Sequence, residues 1–356
     1  MKNNAPNVLD IFCGAGGFSE GFRQAGYNVV AGVDNDEQAL KTYSHNFGHK
    51  KAILWNLSDT GSLIKDAGKK NILRNIDVII GGPPCQGFSI AGKRKASDPR
   101  NKLYKAYVDL IKHIRPKAVV IENVPTMKSL FEGSYFDQIL SDLTKLGFEA
   151  KHEILAAEKY GVPQKRKRLF IVGTLKRLSN FAFPSPSFER KHITCSEAIS
   201  DLPLLQSNKG ADQMVYPSPP KSPYQKQIRN GCKVLTNHWA VIHTEKTKKI
   251  IAMVPDGGNY KSLPGSLWET RKVNIAWTRM NSRTPCFTID AGHNHHFHYK
   301  ANRVPTVREC ARIQSFPDHF LFVGNKTSQF RQVGNAVPPI LAKAIALSLR
   351  KVLLNE

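Results

Sequence analysis

Four scarcities frame this chain. No run of about 18 apolar residues occurs in its 356 residues, so no membrane-spanning helix is expected. The first residues hold one lysine, then asparagines and a proline, and Asp10 interrupts the first apolar stretch, unlike a secretory signal. The six cysteines, at 13, 85, 195, 232, 286 and 310, form no CxxC pair. That argues against a zinc ribbon or a disulfide framework and suits a reducing cytosol. Acidic residues are also scarce, with 28 Asp and Glu against 52 Lys and Arg, a net charge of +24. Such an excess repels itself unless a polyanion offsets it, so nucleic acid is the expected partner. The histidine-rich stretch 293–298 contains no cysteine or carboxylate and reads as a basic surface loop rather than a metal site.

What is present is alternation. Apolar strands are expected at 7–12, 29–33, 76–80, 118–121 and 168–172. Between the first two, Phe18, Phe22 and Ala25 fall at helical spacing, with Gly26 as a stop. Ala39, Leu40, Tyr43 and Phe47 suggest the next helix. Strands alternating with helices predict an α/β fold with a parallel, doubly wound sheet. After about Phe183 the chain becomes proline-rich, and Lys and Arg recur among Asn, His and aromatics up to about 300. This predicts a second, less regular domain over 185–331, with 332–356 returning to the first domain of 1–184. Helical periodicity resumes at 307–313 and 340–349.

Three segments carry chemistry. The first strand runs into a turn where Gly14, Gly16 and Gly17 let the backbone approach a ligand. Ser19 stands where a dinucleotide fingerprint has its third glycine, and Asp34 ends the second strand, placed for ribose hydroxyls. Together they suit an adenosine without phosphates, such as S-adenosylmethionine; a packing turn with Asp34 as a helix cap is the alternative. Next, Gly81-Gly-Pro-Pro-Cys85-Gln-Gly-Phe-Ser89 follows a buried strand. Its stiff loop displays a thiol at the carboxyl edge of the sheet, where doubly wound folds bind ligands, so Cys85 is a candidate nucleophile. Glu122 is delivered to the same edge and is either a general acid or a helix-capping or salt-bridged carboxylate.

Taken in order, Phe12-Cys-Gly14-Ala-Gly16-Gly17, the Cys85 loop and Glu122-Asn123-Val124 resemble the DNA (cytosine-5)-methyltransferase family. Three later segments resemble that family too: Gln164-Lys-Arg166-Lys-Arg168; Arg308-Glu309-Cys-Ala-Arg312-Ile-Gln314-Ser-Phe-Pro317; and Gln332-Val-Gly334-Asn335-Ala-Val-Pro-Pro339. The resemblance spans Asp10 to Pro339. It implies a Rossmann-like S-adenosylmethionine-dependent domain and a smaller target-recognition domain. It also implies that Cys85 adds to C6 of cytosine, Glu122 acts at N3, Arg166 contacts the base carbonyl, and Arg168 has a structural or phosphate-directed role. For S-adenosylmethionine it implies Phe12, Gly14, Ala15, Gly16, Asp34, Pro84, Leu103, Asn335 and Ala336. Asn56 aligns with the family's adenine-binding acid, with Asp59 as a rival.

The target base lies inside duplex DNA and must be flipped out. The basic stretch 89–105, with Lys93, Arg94 and Lys95, is expected to be a loop that closes over double-stranded DNA. Arg271, Arg279, Arg283, Asn281, His293 and His295 are expected donors to bases or phosphates, while Trp277 and Phe287 are expected in the core. The compact size suggests a monomeric bacterial restriction-modification or orphan enzyme with a cognate endonuclease as genetic partner. Alternatives left open are a tRNA methyltransferase, given Cys286-Phe-Thr288, a catalytically inactive DNA-binding regulator, and a nicotinamide dehydrogenase.

Overall fold

Val8, Leu9 and Ile11 are fully buried, which places β1 (Asn7–Ile11) at the centre of a sheet covered on both faces. A computed structural model gives the architecture; it describes residues 5–56, 61, 64, 72–83, 101–178, 180–270, 277–290 and 296–354. After β1 come α1 (Gly17–Gln24), β2 (Asn28–Asp34), α2 (Glu37–Phe47), β3 (Ala52–Leu54) and β4 (Val78–Gly81). They are followed by α3 (Asn101–Ile114), β5 (Ala118–Asn123), α4 (Ser134–Lys145), β6 (Phe148–Ala156) and β7 (Lys167–Leu175). The seven strands lie in the order β3-β2-β1-β4-β5-β7-β6.

The first five strands are parallel, as their alternation with helices predicts. The last two depart from a wholly parallel sheet. β7 pairs antiparallel with both β5 and β6. Among the described residues only a single short 3-10 turn, Ala157–Tyr160, lies between β6 and β7, and without a crossover helix the chain cannot return parallel.

Contacts divide the chain into two compact units. The first comprises Met1–Ala156, Lys167–Ser185 and Leu341–Glu356; the second comprises Ala157–Arg166 and Pro186–Ile340. The division near 185 lies where proline enrichment begins. Residues 157–166 and 332–340, however, group with the second unit rather than the first.

In the first unit Leu9, Ile11, Ile79, Val119 and Ile121 pack against Tyr107, Leu110 and Ile111 of α3 and Ile139 and Leu143 of α4. Each such buried aliphatic side chain contributes about 1.5–3 kcal/mol. Gly26 follows α1 with φ +85°, the left-handed stop that glycine supplies. The C-terminal helix, Pro339–Leu354, lies beside it: the Tyr27 hydroxyl donates to Ala346 O at 3.0 Å.

The second unit has little regular structure. Its described elements are α5 (Cys195–Ile199), β8 (Gly210–Val215), α6 (Pro223–Arg229), β9 (Val234–Trp239), α7 (Glu245–Met253), β10 (Thr278–Arg279), β11 (His296–Phe297), α8 (Val307–Ile313) and α9 (Lys326–Asn335). Trp277 lies in an apolar cluster with Ile251, Val254 and Phe297, as expected of a core residue. Around α8 the interior is ionic. Arg312 pairs with Asp318 and Asp201, and Arg303 grips Glu309 with two bonds of 2.8 Å. Burial alone would raise the Glu309 pKa, but Arg303 and His298 outweigh it and hold the carboxyl well below its usual range.

Candidate active site

In the first unit the motif residues gather at the carboxyl ends of β1, β2, β4 and β5. Beyond β1 the chain folds onto β2: the Phe12 and Cys13 amides both donate to Val33 O, at 2.9 and 3.2 Å. Gly14 has φ +51°, and its amide donates to Asp34 Oδ2 at 2.7 Å. A Cβ on Gly14 would meet nothing within 4 Å. A Cβ on Gly16 would come within 2.5 Å of Phe47 and 2.9 Å of Tyr43. The two glycines therefore differ in purpose: Gly14 opens space, and Gly16 admits aromatic packing.

Asp34 Oδ1 accepts from the Asn35 and Asp36 amides, and burial raises its pKa against those bonds. Asp10 lies beneath the turn. Its Oδ2 accepts from the Ser19 hydroxyl at 2.7 Å and the Ser19 amide at 3.2 Å, and Ser19 in turn meets the Tyr43 hydroxyl at 2.9 Å. Burial lifts the Asp10 pKa from 3.8 to about 7, against the pull of those bonds.

The β4–β5 edge explains its glycines and its asparagine. A Cβ on Gly81 would strike Ile11 O at 2.4 Å, and one on Gly82 would press to 3.2 Å from Glu122 Oε2. The Asn123 side-chain amide donates to Pro83 O at 2.8 Å, fixing the chain two residues before Cys85. Glu122 is mostly buried and lies 3.0 Å, Oε1 to Nε, from Arg168 on β7. Arg168 is thus a partner of the carboxylate. Asn123 was not foreseen as a site residue; only its place beside Glu122 signalled it.

Leu103 is half-buried on α3 against the core, and Asn56 is exposed just beyond β3. Pro84, Cys85, Lys93, Arg94, Lys95, Asp59, Arg271, His293 and His295 lie outside the described residues. Of the stretch 89–105 expected as a loop, Asn101–Lys105 belong instead to α3, and 89–100 lie outside the described residues.

In the second unit Arg166 is buried, and its guanidinium donates to Ile289 O at 3.3 Å and to Ala336 O at 3.2 Å. Asn335 ends α9 and is exposed. Phe287 is half-buried, its ring 3.9 Å from that of His296. Arg283 is exposed.

Two expectations fail here. Arg279 is not a DNA donor: it is 4% exposed, and its guanidinium is spent on the carbonyls of Ile251, Val254, His298 and Ala301 and on the side chain of Asn302. Its neighbours offer buried carbonyls that only such a fork satisfies. His296 and His298 are not surface-loop residues either. His296 forms part of β11, and buried His298 accepts from the Lys300 and Ala301 amides, burial lowering its pKa to about 4.

The family model of C-5 cytosine-specific DNA methylases matches residues 6–351. The chain belongs to this family. Its activity is that of a DNA cytosine-5 methyltransferase, and membership implies use of S-adenosylmethionine.

Among relatives, the type II methyltransferase M.DdeI of Desulfomicrobium norvegicum is 36% identical, covering 96% of this chain and 87% of its own. M1.HphI of Haemophilus parahaemolyticus is also 36% identical, over 98% and 87%. A crystal structure of a candidate DNA modification methyltransferase encoded within an Escherichia coli prophage superposes with a TM-score of 0.80 at 27% identity, covering 99% and 100%. No described helix is long and apolar enough to cross a membrane.

Proposed function

We propose that the chain flips a cytosine out of a short double-stranded DNA sequence and methylates C5 through a covalent bond between Cys85 and C6. The observation that supports this reading most directly is the β4–β5 edge, where Asn123 anchors Pro83 and Arg168 fixes Glu122 beside Gly82. A thiol two residues from Pro83 and a carboxylate at the same strand ends suit attack on a flat ring and charge control at its nitrogen.

The cofactor residues fit an adenosine with a charged tail. Gly14 leaves open space, the Phe12 ring is half-buried near it, and Asp34 Oδ2 accepts the Gly14 amide, a carboxylate oxygen being able to accept a hydroxyl as well. Phe12, Gly14, Ala15, Gly16, Asp34, Asn56, Pro84, Leu103, Asn335 and Ala336 would hold S-adenosylmethionine. When bound, it supplies an electrophilic methyl group.

C5 of cytosine is a weak nucleophile. The Cys85 thiolate adds to C6 and pushes electrons toward C5, while Glu122 donates a hydrogen bond or proton to N3 and Arg166 steadies the base carbonyl. After methyl transfer, a base removes the C5 proton, the C5–C6 double bond re-forms, Cys85 leaves as thiolate and any proton given to N3 returns to Glu122. Arg168 holds Glu122 in place. Arg283 and the basic residues Lys93, Arg94, Lys95, Arg271, His293 and His295 would meet DNA.

The relatives named as type II methyltransferases favour protection of DNA against a cognate endonuclease; the proposal takes the protein to act as a monomer in the cytosol. Bisulfite sequencing of plasmid DNA from expressing cells, beside a Cys85→Ser control, tests the reading. Protected cytosines at one short motif, absent from the control, are expected. Protection that persists with Cys85→Ser would refute the covalent mechanism. Protection in neither sample, with methylation of tRNA instead, would replace DNA by RNA.

A further inference from the structure

The second unit contains a closed ring of hydrogen bonds that no catalytic role yet explains. The Ile289 amide donates to Gln164 Oε1 at 3.0 Å. Gln164 Nε2 donates to Gln314 Oε1, and Gln314 Nε2 donates to Ala336 O at 2.5 Å. Arg166 closes the ring, donating through Nη2 to Ala336 O and through Nη1 to Ile289 O. Gln164 and Gln314 are 0% exposed and Arg166 2%, so water does not compete for these groups.

The polarity of the ring is fixed. A backbone N–H can only donate and a carbonyl can only accept, so the two glutamine amides have one orientation each. Both glutamines offer a carbonyl to one neighbour and an amide to the next. The ring joins four segments distant in sequence: 164–166, Ile289, Gln314 and the end of α9. Two of its members, Arg166 and Ala336, belong to the proposed site. Gln164 and Gln314 touch neither substrate nor cofactor in that reading.

We infer that Gln164 and Gln314 are positioning residues for methyl transfer, which aim the Arg166 guanidinium and fix the Asn335–Ala336 backbone through one shared carbonyl. This rests on the proposed function of Arg166. Replacing Gln314 by methionine keeps the volume and removes both of its bonds. Ala336 O then loses the Gln314 donor and keeps that of Arg166, and Gln164 Nε2 is left with the longer bond to Ile313 O at 3.3 Å. The guanidinium gains freedom at the point where its direction matters, which costs turnover more than fold, as misplaced groups do. Gln164→Glu tests the other side: it still accepts from Ile289 but has no proton for Gln314.

The experiment is a double-mutant cycle on transfer of labelled methyl from S-adenosylmethionine to unmethylated plasmid DNA. Gln314→Met is expected to lower kcat at least about tenfold. In an Arg166→Lys background it is expected to lower kcat by less than about threefold, because a positioning residue has nothing left to aim. The melting temperature of each variant is read in parallel, and the coupling is expected in kcat and not in the melting temperature. Should Gln314→Met fail to fold, Gln164→Glu enters the same cycle. Multiplicative losses, an unchanged kcat, or failure of both variants to fold would overturn the inference and leave the ring a structural one. An inactive wild type would instead overturn the proposed function.

Discussion

At the scale of single residues, the site is built on carboxyl groups whose surroundings differ sharply. Glu122 has a guanidinium 3.0 Å away. Asp10 has no cation partner among its described contacts, only Ser19, and burial raises its pKa to about 7. In the unfolded chain Asp10 ionises near 3.8; in the fold it holds its proton until about 7. Between those values the native state binds a proton that the unfolded state has lost. Stability therefore falls as pH rises through the window, by up to about 1.4 kcal/mol per pH unit, and levels off above it. Asp10→Asn keeps an acceptor for Ser19 and cannot ionise. Its stability relative to wild type, read from urea midpoints, should climb between pH 4.5 and 7; a difference that stays flat would refute the shift. The same residue bears on the cofactor turn, since its partner Ser19 lies in the first turn of α1, shortly after Gly14 and Gly16.

At the scale of elements, what was legible depended on what each segment buries. The strands β1, β2, β4 and β5 announced themselves as apolar runs because both their faces are covered. β6 did not: Glu149, His152 and Glu153 are exposed on an edge strand, so its pattern resembles a polar loop. The direction of β7 depended on the connection before it, which strand composition does not encode. The sequence places Asp34 and Glu122 at the carboxyl ends of their strands, and both are found there, because a side chain at the end of an apolar run is visible in the sequence. The glutamine ring was not legible, because two of its stations are the backbones of Ile289 and Ala336.

Arginine was the misleading letter. Arg279 and Arg283 look alike as polar donors, but β10 buries the first among carbonyls and leaves the second exposed. Arg279→Ala should therefore destabilise the protein by several kcal/mol, the cost of orphaning buried acceptors around a deleted charge. Arg283→Ala should leave the melting temperature unchanged, weaken DNA binding and lower the salt slope by about one. Thermal melts beside fluorescence-anisotropy titrations separate the two; a stable Arg279→Ala with weakened DNA binding would return that residue to the interface.

At the scale of the whole molecule, the ionic interior sharpens the meaning of the charge excess. Asp201, Glu309 and Asp318 are buried and are consumed by Arg229, Arg303 and Arg312. These acids cannot screen the surface, so, buried Arg166 and Arg279 apart, exposed lysines and arginines such as Lys246, Lys249 and Arg283 present the positive excess to solvent. A duplex that neutralises part of this excess releases condensed counterions, and the logarithm of affinity then falls linearly with that of salt concentration. With about 6–10 phosphate contacts, binding should weaken by about 10³–10⁵ between 50 and 200 mM salt. Anisotropy titrations of duplex DNA across that range would measure the slope. A slope near zero would mean that the basic surface faces something other than a polyanion. A steep slope retained by Cys85→Ser, with turnover lost, would separate the electrostatic grip on DNA from the chemistry at the strand edge.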